Sequence, residues 1–357
     1  MRALIRPTAF VDSPFGHDGK VARLAGGLCW FAGAELLGVE GNCRVSSELV
    51  PVDGIEDRFD DALAAQWAAL TGQREPLELG PRTIRLDQPQ VMGIVNATPD
   101  SFSDGGRFAD AAAAAEAGAD MASEGAAIID VGGESTRPGA KPLWEGDEIE
   151  RIAPVIRQLA AGGAAVSIDT RKADVMTAAL EAGARMVNDV SALTWDDRSA
   201  GVIAAAGVPV VLMHHQGDPQ TMQDDPRYAD VLVEIYLWLE GRIRAAEAAG
   251  IARQRILIDP GFGFGKNVAH NLELMNGLAL FHSLGCPLVV GASRKRTIGA
   301  LSGEAPADRR LGGSIAFALK AAEQGAQLLR VHDVPETVQA LRVWRGLRDQ
   351  ALTPRSS

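Results

Sequence analysis

From residue 91 onward, short apolar runs alternate with longer stretches in which Ala and Leu recur at helical spacing. The runs occupy residues 91–95, 127–131, 165–168, 186–187, 208–213, 256–258, 288–290 and 328–331. A short apolar run with no polar alternation predicts a strand buried on both faces. The intervening stretches predict helices over 110–124, 145–161, 172–182, 197–206, 231–249, 271–284, 308–324 and 335–348. Glycines follow several of them (Gly125, Gly162, Gly183, Gly207, Gly250, Gly285, Gly325), as expected where a left-handed cap ends a helix. Strands alternating with helices imply a parallel sheet. Eight such units over about 260 residues match an α/β fold of the (β/α)8, or TIM, barrel type. The alternative is an open doubly wound sheet, but the GxGxxG expected after its first strand is absent.

Residues 1–88 differ in texture. They hold apolar patches such as LAGGLCWFAGAELLGV and one predicted helix over 60–70, with no repeated strand–helix unit. They are expected to form a small N-terminal extension of α+β type packed on a barrel of residues 89–350, with 351–357 as a C-terminal tail. The composition is 46% apolar with a net charge of −11, which suits a globular protein and argues against a nucleic-acid partner. The three cysteines show no CxxC spacing, so neither a disulfide framework nor a zinc site is expected, and a cytoplasmic location is the plain reading. The start has no apolar signal region, and no stretch predicts a membrane span.

The residues that close each run change the picture most. In order they are Asn96; Asp130 and Glu134; Asp169; Asn188 and Asp189; His214; Asp259; Ser293 and Lys295; Arg330 and His332. A barrel gathers its strand ends at one mouth, so these side chains should converge. Asp169, Asn188 and Asp259 suit a ligand edge rich in N–H donors, such as an aminopyrimidine, whose paired donors would keep a buried carboxylate ionised. Asn96, Arg330 and His332 suit an anion or a metal-bound anion. Asp333 with Pro335 reads as a helix start, Asp as cap, where free N–H groups accept phosphate. A flat donor-binding pocket beside a phosphate pocket is therefore expected.

Two long loops, 97–108 and 132–143, are rich in Gly and Pro and are expected to close over the mouth. The stretch DPGFGFGK, 259–266, lacks Walker spacing, so its glycines are taken to let the backbone approach a flat ligand, with Phe262 and Phe264 packing nearby. Lys266 is open between a solvated surface and a site role, whereas Lys295 should reach the mouth. Asp130 and Asp189 read as buried partners that orient loops. His214 and His215 are neighbours on a strand and point to opposite faces, which argues against a shared metal.

Taken together, NATPDSFSDGG at Asn96, DVGGESTRPGA at Asp130, SIDT at Ser167, NDVSAL at Asn188, LMHHQGDP at Leu212, DPGFGFGK at Asp259, GASRK at Gly291 and RVHDV at Arg330 resemble the dihydropteroate synthase family. The motifs stand in family order over residues 91–348. The resemblance implies condensation of 6-hydroxymethyl-7,8-dihydropterin pyrophosphate with p-aminobenzoate to 7,8-dihydropteroate and pyrophosphate, with Mg²⁺. It implies that Asp169, Asn188, Asp259 and Lys295 hold the pterin ring, with Met213 among the substrate-binding residues and Arg330 stacked on the ring. It also implies that Asn96 ligates Mg²⁺ and that Thr136, Arg137, Arg330 and His332 grip the pyrophosphate. Phe102 and Pro138 would line the aminobenzoate slot, Asp104 would order the closed loops, and Ser293 would sit beside the slot.

No protein nucleophile is evident, and a dihydropterin can stabilise an exocyclic methylene cation, so dissociative C–O cleavage is expected. Arg296 stands where some members carry a serine that meets the aminobenzoate carboxylate, which leaves Ser293 or a helix N-terminus for that role. Ala97 replaces a common Val. Loop 97–108 shows no insertion around Phe102, which predicts sulfonamide sensitivity. The family is usually homodimeric. Two alternatives remain: a methyltetrahydrofolate:corrinoid methyltransferase, which would not need STRPGA, SRK and RVHDV, and a silent barrel scaffold, which predicts loss of Asn96, Arg137, Lys295 or His332.

Overall fold

The computed structural model describes residues 2–97, 107–134, 143–217 and 221–353. Eight parallel strands form the barrel: β7 (Gln90–Asn96), β8 (Ile128–Gly132), β9 (Val166–Asp169), β10 (Met186–Asp189), β11 (Val210–Met213), β12 (Ile256–Asp259), β13 (Val289–Val290) and β14 (Leu328–Val331). They pair in sequence order from β7 to β12. β14 lies between β7 and β13, and a parallel bridge from Ile258 to Leu288 joins β12 to β13 and closes the ring. The helices outside are α2 (Arg107–Glu124), α3 (Glu145–Ala161), α4 (Ala173–Ala182), α5 (Ser199–Ala206), α6 (Val231–Ala248), α7 (Val268–Asn276), α8 (Arg296–Leu301), α9 (Leu311–Glu323) and α10 (Val334–Ala351).

Strand positions agree with the apolar runs to within about two residues. The helices differ in two places. The expected helix over 271–284 breaks at Gly277 and continues as a 3₁₀ helix, Leu278–Leu284; Gly277 packs against Leu232 of α6, where a Cβ would collide. The stretch before α9 holds a short separate helix, α8, that packs where Gly313 has no side chain to meet Ile298. At the end of α3 the left-handed residue is Gly163 (φ +78°), and Gly162 is still helical.

The N-terminal residues form an antiparallel sheet, β1 (Arg2–Val11), β2 (Ala22–Arg23), β3 (Trp30–Glu40) and β4 (Cys43–Pro51), with α1 (Asp61–Thr71) beside it. β1 and β3 pair from Arg2 with Val39 to Val11 with Trp30. Pro7 in β1 and the Ala and Gly residues of β3 hide these strands from a propensity reading. Asp60 caps α1 by accepting from the Leu63 N–H at 2.8 Å. Arginines fasten the unit to the barrel: Arg2 to Glu240 of α6 (2.7 Å), Arg44 to Asp230 (3.1 Å), and Arg74 to the His282 carbonyl (3.0 Å).

A hairpin, β5 (Leu77–Leu79) and β6 (Arg82–Ile84), closes the amino-terminal end of the barrel. Leu77, Leu79, Ile84 and Leu86 meet one inward residue from each barrel unit: Met92, Ile128, Ala165, Met186, Val211, Leu257, Val289 and Leu328. The opposite set on the same strands, such as Val91, Ile129, Val187 and Ile258, joins the layer shared with the helices. Side chains on a strand alternate between faces, so the inward set reappears two or four residues further on, at the mouth.

Candidate active site at the mouth of the barrel

Two residues beyond the floor layer stand Asp130 after Ile128, Asn188 after Met186, Met213 after Val211, Asp259 after Leu257, Gly291 after Val289 and Arg330 after Leu328. Asn96 and Asp169 stand four beyond Met92 and Ala165. The register that fills the floor with hydrocarbon thus aims amide, carboxylate and guanidinium groups into the mouth. Asp169, Asn188, Met213, Asp259, Phe262, Phe264, Lys295 and Arg330 line a pocket at the mouth.

Arg330 is the centre of this arrangement. Its Nε donates to Asp130 Oδ2 and its Nη2 to Asp169 Oδ2, both at 2.6 Å. Asn188 Nδ2 also donates to Asp130 Oδ2, at 3.1 Å. Asp130 therefore orients two mouth residues rather than a loop, which corrects the reading from sequence. Asp189 does hold a loop: it accepts from Ser191 N, Ser191 Oγ and Leu193 N, and so supports a turn in which Ala192 and Leu193 adopt left-handed backbone. Asp169 likewise has an internal counter-charge, where a ligand was expected to supply one. Its other oxygen, Oδ1, is buried with no hydrogen-bond partner among the described residues, as is Oδ1 of Asp130. A buried acceptor without a donor is costly, and a donor-bearing ligand would relieve it.

The electrostatics of the pocket point the same way. Burial pushes Asp169 up to about 7, with Arg330 opposing and Asp130 adding to the rise. Burial pushes Asp259 up to about 6 against the Gly261 N–H, Lys295 and Arg330. Burial and the Arg330 charge bring Lys295 down to about 8. Groups perturbed together in one cleft mark a functional site more often than a structural one. The Lys295 ammonium lies over the Phe264 ring, 4.1 Å from its centroid.

The anion side is built from β13, β14 and the start of α10. Ser293 Oγ accepts from the His332 N–H (3.3 Å) and lies 3.1 Å from His332 Nδ1. These two contacts fix the His332 imidazole against Ser293. Burial, Arg294 and Arg330 hold His332 down to about 4, so it is neutral in the empty site. Asp333 precedes α10 but makes no side-chain cap, contrary to expectation. Arg294 claims its carboxylate, with Nε 3.1 Å from Oδ2. Arg294 sits in the left-handed region (φ +58°) between two residues that face the mouth, Ser293 and Lys295. Strain of this kind clusters at functional sites, and no sequence signal announced it. Arg296 is exposed and Met213 is buried.

Asn96 ends β7 at the mouth, half-buried. Phe102, Asp104, Thr136, Arg137 and Pro138 lie outside the described residues. The neck of the 132–143 loop is described, and it is a buried network unforeseen from the sequence. Lys172 Nζ donates to Glu134 (3.0 Å), Glu148 (2.6 Å) and the Leu143 carbonyl (2.7 Å), while Glu134 accepts from the Leu143 N–H. Arg171 adds a bond to Glu134 and lies over the Trp195 ring. Lys266 is not on the surface: it is 2% exposed, with Nζ 3.0 Å from His214 Nδ1. Among the described residues no cluster of three His, Cys, Asp or Glu side chains could hold a metal ion, and all three cysteines are free.

Comparison with known proteins agrees with the geometry. Residues 92–332 match the pterin binding enzyme family. Dihydropteroate synthase of Escherichia coli strain K12 is 47% identical over 262 residues, covering 73% of this chain and 92% of its own. The structure of Xanthomonas albilineans dihydropteroate synthase with 4-aminobenzoic acid is 48% identical with a TM-score of 0.74, covering 79% of this chain and 100% of that one. The structure of Yersinia pestis dihydropteroate synthase with a sulfonamide drug is 45% identical with a TM-score of 0.73, covering 77% and 99%. None of these matches favours the methyltransferase or scaffold alternatives. A barrel whose floor is hydrocarbon and whose mouth presents these acceptors beside a cationic rim, with matches on this scale, belongs to the dihydropteroate synthase family of pterin-binding enzymes.

Proposed function

We propose that this dihydropteroate synthase holds the pterin ring of 6-hydroxymethyl-7,8-dihydropterin pyrophosphate between Asp169, Asn188, Asp259 and Lys295, and breaks its C–O bond before p-aminobenzoate attacks. The observation that carries this placement is the unpartnered, buried Asp169 Oδ1 in the same pocket as Asp259 and Lys295. An aminopyrimidine edge offers the paired donors these oxygens lack, and charge-assisted pairs of this kind are the strong ones. Arg330 is already fixed by Asp130 and Asp169, so it can meet substrate without losing further side-chain freedom. Met213 and Phe264 supply apolar wall.

The leaving pyrophosphate is assigned to Arg330, His332, Thr136 and Arg137. The aminobenzoate is assigned to Phe102, Pro138 and Ser293, with Asp104 ordering the loops. Asn96 supplies one hard oxygen donor, which fits Mg²⁺ held mainly by water and phosphate oxygens and does not fit an all-protein cage. Bound there, Mg²⁺ would neutralise charge on the pyrophosphate. In the balanced reaction the C–O bond breaks, the aniline nitrogen forms the C–N bond and loses a proton, and pyrophosphate departs. The carboxylates at the mouth favour a pterin that becomes cationic over one that stays neutral.

Leu301, Leu311, Val343 and Leu347 are exposed on α8, α9 and α10, where α8 packs on α9 and α9 on α10. These exposed apolar side chains on neighbouring helices are what supports a homodimer. No described helix is long and apolar enough to cross a membrane, and a cytoplasmic enzyme acting on small molecules is the reading adopted. Release of pyrophosphate from the pterin pyrophosphate and p-aminobenzoate, with millimolar sulfonamide inhibiting, is the direct test. No release at micromolar enzyme would refute the function. Isotope exchange at the bridging oxygen in bound complex lacking aminobenzoate is expected, and its absence would refute the dissociative order.

A further inference from the structure

Lys266 is a buried ammonium that pairs with no carboxylate among the described residues. Its Nζ reaches His214 Nδ1 at 3.0 Å, the Gly261 carbonyl at 2.8 Å and the Phe264 carbonyl at 3.0 Å. The two carbonyls accept from Nζ and the His214 ring nitrogen completes its seat, although burial brings the lysine down to about 7. The two carbonyls belong to one loop, which curls around the nitrogen with Gly261, Gly263 and Gly265 all left-handed (φ +73°, +80° and +64°). Side chains are excluded there by contact as well. A Cβ at Gly261 would collide with the His214 carbonyl, and one at Gly265 with the Gln216 carbonyl. The loop therefore lies flush on segment 214–216. The His214 ring that completes the seat is itself fixed edge-on against Trp238, 4.9 Å between centroids.

The outer side of this loop is the wall of the pocket. Phe264 lies beneath the Lys295 ammonium, and a Cβ on Gly263 would be 3.2 Å from Lys295 Cδ. Lys295 thus rests along the loop with its stem on Gly263 and its charge on Phe264. We propose that Lys266 is a positioning residue for the condensation: its ammonium locks the glycine loop so that Phe264 holds Lys295 over the pterin pocket. The inference rests on the reading of that pocket as the substrate site. Lys266 does not touch substrate, and its effect passes through Phe264.

The test compares Lys266→Met, Phe264→Ala and the double variant by steady-state kinetics and thermal denaturation. Lys266→Met keeps an unbranched side chain, one atom shorter, and removes the Nζ donors. It is expected to raise KM for the pterin pyrophosphate about 10-fold, with kcat changed far less, on the scale of one lost charged hydrogen bond. In the Phe264→Ala background the same substitution is expected to add no further rise. His214→Leu, which removes one acceptor and leaves both carbonyls, should raise KM in the same sense by less, and His214→Gln, which restores an acceptor, should bring it back toward wild type. These two decide the matter if Lys266→Met does not fold. A lower melting temperature with unchanged KM in Lys266→Met, additive effects in the double variant, or identical His214→Leu and His214→Gln enzymes would each overturn the inference. If Phe264→Ala also leaves KM unchanged, the placement of substrate in this pocket falls, and the inference falls with it.

Discussion

The two ends of the barrel are made from the same strands in the same register, yet they are opposite in character. At the floor, Met92, Ile128, Met186, Val211, Leu257, Val289 and Leu328 close on the hairpin leucines, and all are 3% exposed or less. At the mouth, two or four residues later, the same inward direction carries Asn96, Asp130, Asp169, Asn188, Asp259 and Arg330. The floor layer buries apolar side chains. The mouth buries carboxylates whose free oxygens await donors. The floor is stable by itself, whereas the mouth depends on Arg330 to hold its buried carboxylates and keeps acceptors that the proposed substrate would satisfy.

The sharpest way to break this division is Arg330→Met. It leaves Asp130 and Asp169 buried without their cation, and loss of one partner from such a pair costs about 3–5 kcal/mol. Chemical denaturation is expected to show that loss together with the disappearance of pyrophosphate release; a stable, active variant would deny that Arg330 organises the mouth. At the floor, Leu79→Ala should cost about 2–5 kcal/mol from lost burial and the cavity left behind. The folded fraction should keep the wild-type KM for both substrates, and a changed KM would show that the two ends are not separable.

A smaller effect should appear with pH. Asp169 and Asp259 have folded-state values raised to about 7 and about 6, so below them the empty site takes up protons. A protonated carboxyl cannot accept a pair of ligand donors, and kcat/KM for the pterin pyrophosphate should fall as pH drops through this window. Stability should move the other way. In the same window the folded state binds more protons than the unfolded chain, so these two groups make the empty protein less stable as pH rises through it. Buried His282 and His332 act on total stability in the opposite sense, so the readout is the melting-temperature advantage of Asp259→Asn over wild type, which should grow from pH 5 to 8 while wild-type kcat/KM rises; an advantage that does not change with pH would contradict the assignment.

The barrel was legible because a strand buried on both faces is a continuous apolar run, and eight such runs were visible. The N-terminal sheet was not, because Pro7 and the Gly and Ala residues of β3 carry weak strand propensity, and its pairing of residues 2–11 with 30–39 is non-local. At the mouth, the polar residue ending each strand named most of the lining. Hidden were the partnerships: Asp130 with Arg330, Arg294 with Asp333, and the Lys172 network with Glu134 and Glu148. Ion pairs between distant segments depend on where strands and loops bring them. The parity of Ile128 and Asp130 on β8 was the one clue, since it placed Asp130 inward with the other lining residues.

The central claim is that the mouth residues serve binding at the expense of stability, and Asp259→Asn tests it most directly. The amide keeps an oxygen for the Gly261 N–H, now 2.7 Å from Oδ1, and removes the buried charge. Calorimetric titration with the pterin pyrophosphate and thermal denaturation of the same preparation should give affinity weaker by about 10- to 100-fold, on the scale of one charge-assisted hydrogen bond, and a melting temperature at or above wild type. Unchanged affinity, or a weaker affinity explained by a lower melting temperature, would contradict the account.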